Sequence, residues 1–121
     1  MLRRLLLSLA VLATALVAVA GGSARANATP KLTGEVGPGF SIEVKAGGKD
    51  VKTLKAGTYT ILVEDKASIH DFHLTGPGVN KTTGVAFMGK QTWTIKLEKG
   101  TYTYKCDPHA AMGMKGTFKV L

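Results

Sequence analysis

The sequence predicts an all-β domain made of two sheets packed face to face. Three observations predict it: short segments in which apolar and polar residues alternate, turn-forming Gly, Pro, Asn and Lys between them, and no sustained helical period anywhere after residue 26.

Residues 1–26 stand apart from this pattern. Arg3 and Arg4 form a short positive region, Leu5 to Ala20 an uncharged apolar run, and Ala24-Arg25-Ala26 puts small residues at the two positions that determine cleavage. We expect an export signal removed ahead of Asn27, which leaves a single domain over 27–121 in the periplasm or outside the cell. A retained membrane anchor is the alternative for so long an apolar run, and the small-residue site directly behind it favours removal. The arginine pair leaves the general secretory and twin-arginine routes both open. A cysteine-linked lipid anchor is excluded, because Cys106 is the only cysteine.

Within 27–121, Phe40, Ile42 and Val44 alternate with Ser41, Glu43 and Lys45. Tyr59, Ile61 and Val63 alternate with Thr60, Leu62 and Glu64. His70, Phe72 and Leu74 then share one parity and Ile69, Asp71, His73 and Thr75 the other, so His70 is expected inside and His73 outside. Trp93, Ile95 and Leu97 alternate with Thr92, Thr94 and Lys96. Tyr102, Tyr104 and Cys106 share a face, and Phe118 and Val120 close the chain in the same manner. Turns fall at Ala46-Gly47-Gly48-Lys49, Lys55-Ala56-Gly57, Gly76-Pro77-Gly78 and Glu98-Lys99-Gly100. The stretches Leu54–Thr60 and Leu97–Thr103 echo one another and read as one way of entering a strand used twice. About seven short strands in a domain of this size fit a sandwich.

Charge and cysteine content narrow the function. Loss of Arg3, Arg4 and Arg25 takes the formal charge from +8 to +5, carried by 13 lysines against eight acids. Without an arginine cluster or an aromatic stacking platform, nucleic acid is not the expected partner. A lysine-rich surface suits steering of an acidic protein. A small exported domain usually relies on disulfides, and a lone cysteine cannot pair within its chain, so Cys106 is either buried and inert or holds a metal.

The residues around it favour the metal. Cys106 ends a strand face pointing inward, Pro108 breaks the strand, and His109 and Met114 lie on the turn that leads into the last strand. His70 supplies a second inward imidazole. A thiolate and two imidazoles with a weak axial thioether suit both oxidation states of copper, which accept soft sulfur and borderline nitrogen. Met114, beside the start of the final strand, is preferred to the mid-loop Met112 as the thioether. His70 is preferred to His73 by parity.

His70-Asp71-Phe72, the run Gly100-Thr101-Tyr102-Thr103-Tyr104-Lys105-Cys106, and the spacing of Cys106, His109 and Met114 together resemble the plastocyanin, pseudoazurin and amicyanin branch of the cupredoxins, across essentially all of 27–121. The resemblance implies a Greek-key β-sandwich and one type 1 copper on His70, Cys106, His109 and Met114. It also implies transfer of single electrons between larger redox proteins; the net positive surface is compatible with an acidic cytochrome, a copper nitrite reductase or a dehydrogenase as partner, and a monomer is expected. The family usually has Asn after the first histidine, where this chain has Asp71, and a carboxylate accepts hydrogen bonds without donating them.

Other classes are copper delivery or storage on the same residues, a thiol enzyme with Cys106 as nucleophile and His109 as base, and a sandwich without a metal. Delivery proteins more often carry Met-rich or His-rich runs, absent here. An enzyme would want an acid to orient the histidine where this sequence offers a methionine.

Overall fold

A computed structural model describes residues 28–121; the expected export signal and its cleavage point lie outside the described residues. Ten strands are found among the described residues: β1 (Lys31–Val36), β2 (Ile42–Ala46), β3 (Lys49–Asp50), β4 (Thr53–Leu54), β5 (Gly57–Asp65), β6 (His73–Gly76), β7 (Val79–Thr82), β8 (Gly89–Leu97), β9 (Gly100–Lys105) and β10 (Lys115–Val120). They form two five-stranded sheets, in the orders β3-β2-β1-β5-β8 and β4-β10-β9-β6-β7. Pairing is antiparallel except between β1 and β5 and between β4 and β10. The expected Greek-key sandwich is the fold.

Alternation decides which side chains fill the space between the sheets. Tyr59, Ile61 and Val63 of β5 and Trp93, Ile95 and Leu97 of β8 are buried, and in register Ile61 lies opposite Trp93 and Tyr59 opposite Ile95. Leu74, Tyr102, Phe118 and Val120 answer them from the other sheet. Burial of such side chains contributes roughly 1.5–3 kcal/mol each. The echoed entry to β5 and β9 is real: Gly57 and Gly100 open these strands at φ 152° and 146°, where a side chain would strain the backbone.

Three features differ from the sequence reading. β1 was not anticipated, because Leu32 and Val36 are its only buried apolar side chains and Gly34 sits between them. The gap at Gly34 is filled by Phe72, from the segment that precedes β6: a Cβ there would lie 2.7 Å from Cζ of Phe72. Second, His70, Asp71 and Phe72 precede β6 rather than belonging to it, and all three are buried, although Asp71 has the parity opposite to His70 and Phe72. Third, Phe40 is not on the core face of β2 but precedes it and is 67% exposed.

Tyr102 fixes the strand that leads to Cys106. Its hydroxyl donates to the Pro77 carbonyl at 2.7 Å and accepts the Glu98 N–H at 2.9 Å, so a buried polar group is satisfied on both sides.

Candidate metal centre

Cys106 lies one residue past the end of β9, and the chain returns to β10 over the next eight residues. Pro108 starts a 3-10 turn over Asp107–Met112, and Gly113 ends it in the left-handed region at φ 91°. Backbone hydrogen bonds hold this loop closed: Cys106 N–H to Met114 O at 3.0 Å, His109 N–H to Cys106 O at 3.1 Å, and Met114 N–H to His109 O at 3.3 Å. These three bonds join the three loop residues singled out in the sequence. Met114 is buried at 2% exposure, whereas Met112 is 67% exposed.

His70 reaches the same place from the other side. After β5, Asp65 caps the turn by accepting the Ala67 N–H at 3.2 Å, and Lys66 N–H bonds Val36 O at 2.9 Å. Beyond it, Phe72 N–H donates to Thr83 Oγ1 at 2.9 Å and Phe72 O accepts Thr83 N–H at 3.1 Å. His70 is thereby strapped at both ends, with its ring fully buried.

The two segments bring three donor atoms face to face. His70 Nδ1 is 3.0 Å from His109 Nδ1, and Cys106 Sγ is 3.6 Å from the first and 3.3 Å from the second. A point equidistant from the corners of a triangle with these sides lies about 1.9 Å from each. Metal bonds to imidazole and thiolate run about 2.0 and 2.3 Å, so an ion fits with slight outward relaxation. His70 Nε2 donates to the Pro38 carbonyl at 3.4 Å, which leaves Nδ1 with its lone pair directed at that point. Burial pushes the Cys106 thiol up, while the backbone N–H groups of Asp71 and His109 pull the other way. A bound cation is what would hold such a buried sulfur as thiolate.

Around this triangle runs a polar chain that ties the loops together. Asp71 Oδ1 accepts the Asp107 N–H at 2.6 Å and Oδ2 accepts the Thr82 hydroxyl at 3.0 Å. Burial, then the Asp107 carboxyl beside it, hold Asp71 above the ordinary carboxylate range. Asp107 is held below that range, first by Asp71. His73 faces outward, as parity requires. Its Nδ1 meets Asp107 Oδ2 at 2.8 Å and its Nε2 meets Asn80 Oδ1 at 2.6 Å. Burial lowers the His73 imidazole, but the Asn80 and Asp107 bonds and the charges of Asp107 and Asp71 outweigh it and leave the group above its ordinary value.

Sequence reasoning missed the turn Gly37–Phe40, which supplies the Pro38 carbonyl and an aromatic ring against the histidines. Pro38 and Gly39, directly before Phe40, were the available sign that the alternation of β2 could not extend back to it.

Residues 39–121 match the family described as copper binding proteins, plastocyanin/azurin family. Solved structures similar to this chain include the copper protein rusticyanin, at 27% identity and a TM-score of 0.59, over 77% of this chain and 78% of that one. Reduced rusticyanin is similar at 25% identity and a TM-score of 0.56, over 77% and 79%. Rusticyanin from Thiobacillus ferrooxidans is similar at 27% identity and a TM-score of 0.55, over 77% of each chain.

Proposed function

Because the chain belongs to the plastocyanin/azurin family of copper-binding proteins, we propose that it is an exported carrier of single electrons whose one copper is held by His70, Cys106, His109 and Met114. The observation that supports this reading most directly is the convergence of His70 Nδ1, Cys106 Sγ and His109 Nδ1, from segments 36 and 39 residues apart, within 3.6 Å of one another.

A thiolate shares charge with Cu(II), and a thioether, softer than oxygen or nitrogen, suits Cu(I). Donors held by the sandwich in one arrangement leave little to rearrange when the charge on the metal changes. Met114 fits the thioether role because it is buried and its backbone is bonded to both Cys106 and His109, while Met112 points to solvent.

His109 is only partly buried, so its outer edge is the route by which an electron reaches a partner. Exposed Pro108, Ala111 and Met112 beside it form an apolar contact surface, and the lysine-rich exterior would guide an acidic redox protein towards it. No substrate chemistry is assigned to the chain. It acts as a monomer, in the periplasm or outside the cell, after removal of residues 1–26.

The test is the visible and electron paramagnetic resonance spectrum of the protein over 27–121 loaded with Cu(II). Intense thiolate-to-copper absorption with a small parallel hyperfine splitting is expected, and Cys106→Ser should abolish it. A pale protein with large splitting would make copper delivery or storage the better reading.

A further inference from the structure

We infer that Phe40 is a positioning residue for the metal centre: its ring, edge-on to both imidazoles, holds the partly exposed His109 against the buried His70. The inference rests on the reading of these two histidines as copper ligands.

Phe40 has no role in the core. It lies outside β2 and is 67% exposed, an arrangement that water disfavours for so large an apolar ring. Its contacts are instead with the site. The ring centroid is 4.9 Å from that of His109 at an interplanar angle of 88°, and 5.6 Å from that of His70 at 78°. Both lie in the range in which the positive edge of one ring meets the negative face of another. The imidazoles themselves cross at 72° with centroids 4.9 Å apart, so the three rings form a closed set.

The turn that carries Phe40 is built to keep it there. Gly37 N–H bonds Ser41 O at 2.9 Å, closing residues 37–41 into a tight reversal. Gly37 has φ 73°, and a Cβ at this position would lie 2.9 Å from His70 Cδ2, so the backbone itself rests on the imidazole. The Pro38 carbonyl accepts a hydrogen bond from His70 Nε2–H at 3.4 Å. Three of the four residues Gly37–Phe40 therefore touch His70, and the last of them also reaches across to His109.

The two histidines need this help unequally. His70 is enclosed by protein, whereas His109 sits on a short loop with one side open. Among the described residues, Phe40 is the aromatic side chain that bridges the two rings. It limits the swing of the His109 ring and covers part of both imidazoles from water.

The experiment compares the copper-loaded wild type with Phe40→Ala, Phe40→Leu and Phe40→Tyr. Release of Cu(II) to excess chelator should be about tenfold faster in Phe40→Ala, equivalent to ~1.4 kcal/mol, with a larger parallel hyperfine splitting. Phe40→Leu, which keeps apolar volume without a ring, should behave as Phe40→Ala, and Phe40→Tyr as the wild type. The metal-free variants should unfold at the wild-type urea midpoint. An intensely coloured wild type whose release rate and spectrum are shared by Phe40→Ala overturns the inference alone. So does Phe40→Leu matching the wild type, or a lowered urea midpoint in Phe40→Ala with unchanged release. A wild type without type 1 absorption overturns the ligand assignment and the inference together.

Discussion

The Asp71 carboxylate accepts the backbone N–H of Asp107 at 2.6 Å, which ties the residue after His70 to the residue after Cys106. The bond carries the join between these segments past the last β6–β9 register pair, His73 opposite Lys105, into the two loops that hold His70 and Cys106. Its other oxygen is occupied by the Thr82 hydroxyl.

Asp71→Asn should keep the first bond, since an amide oxygen also accepts, and remove a negative charge near the copper. The reduction potential is expected to rise, by about 40 mV for each ~1 kcal/mol of lost repulsion, as read by voltammetry. Asp71→Ala leaves the Asp107 N–H unpaired and should cost about 1–3 kcal/mol in urea unfolding.

Met114→Gln puts a harder oxygen donor where we place the thioether. It should favour Cu(II) and lower the potential while copper stays bound. Met112→Ala, at a residue 67% exposed, should leave potential and spectrum unchanged. The reverse pattern would transfer the axial role to Met112.

His73 gives a pH dependence. Its folded value lies above the ordinary 6.5 through Asn80 and Asp107, so its contribution to stability is complete below ~6.5 and is lost as pH rises through the folded value. The stability gap between wild type and His73→Gln, measured by urea unfolding of the metal-free protein, should be widest in mild acid and narrow as the solution becomes alkaline. Asp107, held low by its neighbours, keeps its part of the pair until the pH falls well into the acid range.

Tyr102→Phe removes a donor to the Pro77 carbonyl and an acceptor for the Glu98 N–H. A loss of about 1–3 kcal/mol in unfolding free energy is expected. The metal spectrum should not change, because the hydroxyl lies at the far end of β9 from Cys106.

The strands whose faces differ in polarity were legible. β5 and β8 alternate over nine residues each, and their core lists match the parity read from the sequence. β1 was not, since a strand with two buried side chains and a central glycine has too little apolar signal. The burial of His70 agrees with the parity read from the sequence, but the segment is not a strand and does not alternate, since Asp71, of the opposite parity, is buried as well. Burial of Asp71 and the place of Phe40 were hidden for another reason. Each depends on a partner distant in sequence, Asp107 for one and the two imidazoles for the other, and local patterning carries no record of such partners.

The burial of Cys106 also makes the chain its own stopwatch. With no second thiol in the sequence and no exposed surface on this one, an alkylating reagent can react with the metal-free protein only at moments when the loop between β9 and β10 lifts away. At low reagent, the rate at which that single adduct accumulates, divided by the rate for the unfolded chain, would give the free energy of opening; at high reagent, where the rate no longer depends on concentration, it would count the openings themselves.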